Sequence, residues 1–438
     1  MANRSLSRGL MIAAPASGSG KTVFSLALMR ALKNRGITIS PAKAGPDYID
    51  PVYHELAAGT SSINLDPWAM GSERIQSLAH GDVDSLLLVE AMMGLYDGAA
   101  DGSGSAADLS VELALPIILV VDAAKQSHSI AALVNGFKDF RSDINFAGVV
   151  LNKVGSPRHE VMLRDALGAA GIAVMGSIPR SSELALPERH LGLVQAREMQ
   201  DIEAFIEGAA KLIETHCDLD ALLVASERMP SSYNAIATKL APVLPLGQRI
   251  AIARDNAFSF IYPHLLCSWK EQGVEISFFS PLADEAPSKD ADAVFLPGGY
   301  PELHCEVISS AKAFKAGMVS ARDRGVLIYG ECGGYMVLGE GLVDTEGQCH
   351  EMLGLLNLET SFKDRKLHLG YRKLWAGSGH LNASQFTAHE FHYTQAIKEN
   401  GVSLFTAKDA LGNQLGDLGL SKENVFGSYM HVIDRVSE

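Results

Sequence analysis

Two clusters of residues in this chain have types and spacing suited to chemistry. The first is Ala16-Ser17-Gly18-Ser19-Gly20-Lys21-Thr22. Glycines allow backbone N–H groups to turn inward around phosphate oxygens. A helix starting just after the loop adds the positive end of its dipole. Lys21 is spaced to reach the β- and γ-phosphates, and Thr22 to hold Mg²⁺. The first position of the usual phosphate-loop pattern is Pro15 here rather than glycine, so the loop is a variant. A plain Gly/Ser turn with an exposed lysine is the competing reading. The apolar strand before the loop and the helical stretch after it favour binding of ATP by Ser17, Gly18, Ser19, Gly20, Lys21 and Thr22.

The second cluster is Gly330-Glu331-Cys332-Gly333-Gly334, entered from the apolar run 326–329. A strand running into a cysteine flanked by glycines has the pattern of a nucleophile elbow. The helix that follows is expected to lower the thiol pKa. A thiolate nucleophile needs a base and an oxyanion hole. His431, after a late apolar strand, is the expected base. Backbone N–H groups around Gly298 and Gly299, together with that of Gly333, are the expected donors. A lone buried cysteine is ordinarily a small hydrophobe, and the elbow context reverses that reading for Cys332. Cys217, Cys267, Cys305 and Cys349 lack such context and are read as structural. His389 and His392 flank Glu390 closely enough to suggest a metal site. On a strand, however, His389 and Glu390 face opposite sides, so a structural or substrate-lining role is preferred.

Acidic residues sit at the ends of predicted strands: Asp47, Asp50, Glu90, Asp97 and Asp122. The ligand crevice of an open α/β sheet lies at the carboxyl ends of its strands, and carboxylate oxygens there suit the Mg²⁺ of bound ATP. The competing role is a helix N-cap, and Asp122 stays open between the two.

The elements that must position these residues follow from the apolar runs. Strands are expected at 9–14, 37–42, 85–90, 116–122, 146–152 and 171–178. Most are continuous Val/Ile/Leu runs, as expected for a sheet covered on both faces. Strands separated by helix-length segments imply a parallel sheet. Prolines 230, 242 and 245 mark a boundary within 229–248. The expected domains are therefore 1–240 and 247–438. Beyond the boundary the alternation restarts at 249–253, 274–279, 293–296 and 325–329. Strand-like segments, including 367–375 and 385–393, dominate the last third, which implies a mixed sheet.

The 438 residues, 47% of them hydrophobic, suffice for two buried cores. A net charge of −14 argues against nucleic acid as a partner. No apolar run is long enough for a membrane span. Five scattered cysteines without a CxxC pair fit reduced thiols and a cytoplasmic location.

With both clusters in hand, the chain resembles the cobyrinic acid a,c-diamide synthase family over nearly its whole length. The stretches that carry the resemblance are APASGSGKT, KAGPDYIDP, VEAMMGLYDG, LPERHLGLV, FSPLAD, FLPGGYPELH, GECGGYMVLG and EFHY. It implies an α/β fold, with an N-terminal P-loop synthetase domain similar to dethiobiotin synthetase and a C-terminal class I-like glutamine amidotransferase domain. It implies ATP, Mg²⁺, L-glutamine and a corrin polycarboxylate as cofactors and substrates, and a homodimer as an available state. The implied reaction amidates the a and c carboxylates of hydrogenobyrinic or cobyrinic acid in cobalamin biosynthesis, through an acyl phosphate. The wording of the phosphate loop favours the metal-free ring.

Carried over by residue, Thr22, Asp47 and Glu90 would serve the metal, Asp97, Arg189 and His190 ATP or the substrate, and Cys332 and His431 glutamine hydrolysis. Arg365, Lys366, His368, Arg372 and Lys373 are further cationic candidates, against the alternative of a solvated strand face. Class I glutaminases usually place Glu two residues after the His. That position is Ile433 here, with Asp434 next, so no triad is assigned and Asp434 is only a candidate orienter. Rival readings are cobyric acid synthase, another tetrapyrrole amidotransferase, or a regulatory P-loop ATPase with an inactive glutaminase-like module. The intact Cys332 elbow and His431 speak against the last.

Overall fold

The computed structural model describes residues 8–79, 84–181, 187–189, 192–228, 243–377 and 385–436. The chain divides into two compact units, Met1–Thr238 and Lys239–Glu438.

The first unit is built on seven parallel strands: β1 (Arg8–Ala13), β2 (Ile39–Ala44), β3 (Ile63–Leu65), β4 (Leu86–Glu90), β5 (Pro116–Asp122), β6 (Asn145–Val154) and β7 (Val174–Pro179). Their order is β3-β2-β4-β1-β5-β6-β7. Glu227–Arg228 adds an antiparallel segment beside β1. β4 and the apolar part of β5 are buried at every residue, which is why they read as unbroken apolar runs. Because β1 lies between β4 and β5, the chain reverses its direction of growth at β1, and the carboxyl ends of β2, β4, β1 and β5 stand side by side.

Two expected strands begin later than their apolar runs. Gly36, at φ 79°, ends helix α1 (Lys21–Asn34), and the Ile37 N–H bonds back to the Leu32 carbonyl, so 37–38 belong to the helix exit. Gly171, at φ 68°, does the same ahead of β7, with the Ile172 N–H on the Leu167 carbonyl. β3 is too short for its periodicity to register.

The second unit has a six-stranded sheet. Its strands are β8 (Arg249–Ala253), β9 (Glu275–Phe279), β10 (Ala293–Leu296), β11 (Leu327–Glu331), β16 (Leu420–Lys422) and β17 (Val425–Ser428). The order is β9-β8-β10-β11-β17-β16, parallel except for β16. A five-stranded antiparallel sheet comprises β12 (His368–Ala376), β13 (Gln385–His392), β14 (Phe405–Asp409), β15 (Gln414–Leu418) and β18 (Met430–Arg435), in the order β15-β14-β12-β13-β18. One face of the parallel sheet (Ile250, Phe295, Tyr329) packs against Leu374, Phe386, Phe405 and Val432 of the antiparallel sheet. The opposite face, through Val294, Leu296 and Ile328, packs against helical residues such as Phe314, Met318 and Tyr335 and against Leu342 and Leu358 of a small four-stranded sheet. The strands β8, β10, β11 and β17 are thus covered on both faces and buried at residues of either parity, whereas the edge strand β9 is largely exposed.

Candidate functional site

In the first unit the loop after β1 leads straight into α1. Gly20 takes a left-handed φ of 90° at the helix start, and a Cβ there would lie 2.1 Å from Asn152 Nδ2, so the position excludes any side chain. Asn152 donates to the Ser19 carbonyl at 2.9 Å, and Lys153 Nζ donates to the Gly18 carbonyl at 3.0 Å and to Asp122 at 2.7 Å. The ends of β5 and β6 therefore brace the loop from one side. From the other side Leu95 N–H donates to the Ala14 carbonyl, and Asp97 accepts from the Gly94 N–H at 2.8 Å.

Below the loop lies a buried charge cluster centred on Glu90, at the end of β4. Its Oε1 accepts from Thr22 Oγ1 at 2.6 Å and from Lys43 Nζ at 3.0 Å, with Lys21 Nζ 3.7 Å away. Its Oε2 meets His54 Nε2 at 2.7 Å, and Ser62 Oγ lies 3.2 Å from the other nitrogen of that ring. Lys43 also donates to Asp50. Burial works against the charge on Glu90, but Lys43 and His54 outweigh it and hold the carboxyl well below its ordinary range. Burial likewise opposes the Lys43 ammonium, and Asp50 and Glu90 more than compensate. Burial and the neighbouring Asp47 raise Asp50 to about 6. Burial, then Lys43, lowers the Lys21 ammonium.

In the second unit, Cys332 directly follows β11 and precedes α3 (Gly333–Leu338). Its backbone sits at φ 47°, ψ −107°, a sparsely populated region for a side-chain-bearing residue and the mark of a sharp elbow. Gly298 follows β10, Cys332 follows β11 and His431 lies just past β17. These are the carboxyl ends of three adjacent parallel strands. A Cβ built on Gly298 would lie 2.4 Å from His431 Cε1 and 3.3 Å from Cys332 Cβ. The bare glycine is thus what leaves room between thiol and imidazole. A Cβ on Gly333 would lie 3.1 Å from the Gly299 nitrogen, so these two backbones stand close together beside the thiol.

His431 is fully buried. Burial, then His389 and His392, lowers its pKa to about 3, so it is a neutral imidazole with a lone pair for a proton. Glu331 Oε2 lies 3.9 Å from His431 Nδ1, and burial raises that carboxyl to about 8. Next to the elbow, Tyr429 stacks on His392 at 4.0 Å, and the Phe391 carbonyl accepts from Cys332 Sγ at 3.9 Å.

The sequence model of the CobQ/CobB/MinD/ParA nucleotide binding domain matches residues 10–194, and that of the CobB/CobQ-like glutamine amidotransferase domain matches residues 249–436. The hydrogenobyrinate a,c-diamide synthase of Brucella anthropi is 57% identical over 98% of this chain and 99% of its own. Those of Rhizobium meliloti and Rhodobacter capsulatus are 54% and 47% identical, each over 97% of this chain. The chain belongs to the hydrogenobyrinate a,c-diamide synthase family. It carries that family's nucleotide-binding domain followed by its glutamine amidotransferase domain.

In this family member the structure brings residues 17–22, Asp47, Glu90 and Asp97 to one end of the first sheet. Asp47 Oδ1 accepts from the N–H groups of Ile49 and Asp50, at 2.7 and 3.1 Å, so this carboxylate also serves as the local turn cap. Asp122 does likewise for Ala124 while pairing with Lys153. Arg189 lies on a two-residue strand, Glu188–Arg189, paired with Gly192–Leu193, and His190 lies outside the described residues.

Three sequence expectations need correction. The Cys332 thiol is pushed up, not down. Burial dominates, and the Gly333 N–H, which acts in the expected direction, is too little to offset it. Arg372 is not a free cation for a substrate carboxylate, because it pairs with Glu390 at 2.6 Å. Cys267 and Cys349 are exposed rather than part of a core.

His368, Glu390 and His392 each bring a ligand atom within 4.8 Å of the others, yet the two imidazoles are stacked at 6°. Ring lone pairs lie in the ring planes, and parallel planes do not converge on one ion. Sequence reading missed Lys43, His54, Asn152, Lys153 and Glu331. A lone lysine in the buried run of β2 was the signal for Lys43, whereas nothing local distinguishes His54 from a core histidine.

Proposed function

We propose that the protein is an ATP- and glutamine-dependent amidotransferase that converts the a and c carboxylates of hydrogenobyrinic acid to amides. The observation that carries the reading is the full-length identity to synthases of that name, on a chain that keeps both a phosphate loop and a cysteine elbow.

In the second unit, Cys332 Sγ attacks the side-chain amide carbon of glutamine. The thiol proton passes to His431, which delivers it to the departing nitrogen as ammonia and leaves a glutamyl thioester. The N–H groups of Gly299 and Gly333 face the developing oxyanion. His431 then takes a proton from water, whose oxygen releases glutamate. Neutral His431 offers a lone pair in both steps.

In the first unit, the backbone of residues 17–22 and Lys21 hold the phosphates, and a substrate carboxylate oxygen takes the γ-phosphoryl group of ATP. ADP leaves in that step, and ammonia then displaces phosphate from the acyl phosphate, giving the amide. Thr22 and Glu90 offer hard oxygen donors in mutual contact, a donor set that fits Mg²⁺, with Asp47 alongside. Bound there, Mg²⁺ supplies charge neutralisation at the β- and γ-phosphates. Asp97, Arg189 and His190 are assigned to ATP or the carboxylate substrate, and the protein is assigned to the cytoplasm.

The test is mass spectrometry of hydrogenobyrinic acid and cobyrinic acid after incubation with enzyme, MgATP and glutamine. Two successive replacements of carboxyl OH by NH₂ on the metal-free ring are expected. Faster conversion of the cobalt ring would reassign the substrate. No change on either ring, with ATP and glutamine still hydrolysed, would remove the corrin assignment and leave the two sites standing.

A further inference from the structure

The carboxylate that usually orients the histidine in such glutaminases has no counterpart two residues past His431, where Ile433 stands. Asp434, the next residue, uses Oδ1 on the Arg435 N–H. A different carboxyl reaches the imidazole. Glu331 is the last residue of β11, directly before the nucleophile, and is 4% exposed. It shares a strand face with Tyr329, two residues earlier, and that face packs against the antiparallel sheet containing His431.

The two carboxyl oxygens of Glu331 are used differently. Oε1 accepts from Tyr329 Oη at 3.0 Å and from the Val432 N–H at 3.2 Å. Oε2 is the oxygen that faces His431 Nδ1 at 3.9 Å. One oxygen is therefore clamped to the neighbouring strand of the histidine itself, and the other is aimed at the ring. The separation is longer than a hydrogen bond, as catalytic contacts often are before substrate binds, and a shift of about 1 Å closes it.

We propose that Glu331 is the positioning residue of His431, its carboxylate form accepting from Nδ1–H so that Nε2 keeps its lone pair toward Cys332. The residue before the nucleophile then takes the place that a residue after the histidine holds elsewhere. The geometry also explains why a charge-bearing side chain ends an otherwise apolar buried strand. Burying it without a partner would cost free energy with no return, and Tyr329 and Val432 satisfy only one of its oxygens. When His431 accepts the thiol proton, the imidazolium has this carboxyl 3.9 Å away in a region that water does not screen.

This inference rests on the reading of Cys332 and His431 as a glutaminase pair, and the experiment separates the two. Glutamate release from glutamine is measured for the full chain and for its E331Q, Y329F and C332A variants, with ammonium-supported amidation followed in parallel. E331Q keeps the size of the side chain and an acceptor for Tyr329 and Val432, but turns an amide toward Nδ1. Its kcat for glutamine is expected to fall about 10²-fold, as for a misplaced catalytic group, with KM changed little and ammonium-supported amidation retained. Y329F, which loosens only the Oε1 clamp, is expected to lower kcat by a smaller factor. A kcat for E331Q within twofold of the parent overturns the proposal. If E331Q does not fold, an unchanged kcat for Y329F overturns it instead. Glutaminase activity that survives in C332A would show that the underlying assignment fails, not the role of Glu331.

Discussion

The Thr22 hydroxyl donates to Glu90 Oε1 over 2.6 Å, which ties the end of the phosphate loop to the end of the neighbouring strand. Glu90 is wholly buried and holds Lys43 and His54 as well, so one carboxylate sets the position of four side chains on three elements.

Replacing it by an isosteric amide tests that arrangement. E90Q keeps an acceptor oxygen for Thr22 and Lys43 but turns an NH₂ group toward His54 and removes the charge, which leaves Lys43 with Asp50 as its charged partner. Breaking one arm of a buried ion set costs about 3 kcal/mol. The first unit should lose about that much unfolding free energy in urea, and ATP turnover should fall about 10²-fold. An unchanged unfolding curve would mean that Asp50 alone holds Lys43.

The two sites should fail separately. K21A is expected to lose ATP-dependent amidation by about 10²–10³-fold while glutamate release continues, because Lys21 contributes charge only where phosphate binds. C332A should lose amidation driven by glutamine and keep amidation driven by ammonium chloride. Parallel assays of ADP, glutamate and amide decide this, and loss of all three in either variant would contradict it.

A single methyl group should disable glutamine hydrolysis. The Cβ of G298A would sit 2.4 Å from His431 Cε1. Displacing the imidazole by about 1 Å is expected to cost about 10²-fold in kcat. The thermal midpoint should move far less than it does for a core cavity. A crystal structure of G298A with His431 unmoved would refute the steric explanation.

The second unit should become less stable as pH rises past neutrality. Glu331 is raised from 4.5 to about 8, so between those values the unfolded chain has lost a proton that the folded chain keeps, and stability falls with pH. His431 is lowered from 6.5 to about 3, so below 6.5 the unfolded chain gains a proton that the folded one refuses, and stability rises with pH. The two slopes oppose each other from 4.5 to 6.5, leaving Glu331 alone from 6.5 to 8. The expected loss over that window is about 2 kcal/mol. Urea unfolding followed by Trp269 and Trp375 fluorescence in a W68F background measures it. E331Q, which cannot ionise, should flatten the curve, and a slope that persists in E331Q would assign it to another group.

Much of the molecule is legible in the sequence because its signals are local. Gly18, Gly20 and Lys21 announce a phosphate loop since the loop, its strand and its helix are contiguous. Cys332 announces an elbow for the same reason, and its left-handed backbone bears this out. β5 matches its expected bounds of 116–122 because an unbroken apolar run admits little else.

What escaped reading depends on residues far apart in the chain. Lys43, His54 and Glu90 meet only because β2 lies beside β4 and α2 (Asp50–Ala58) packs over them. The direction of the Cys332 shift was misjudged because a helix N-terminus is visible in sequence, whereas complete burial of the thiol is not. The sequence alone therefore picked out the glycine-rich loop of residues 17–22, the Cys332 elbow and the apolar strands that lead into them. Only the tertiary structure decided that Glu331, and not a residue near His431 in the chain, faces the imidazole. Strand order is set by packing of whole sheets, and a carboxyl 100 positions from its histidine has no local pattern to announce it.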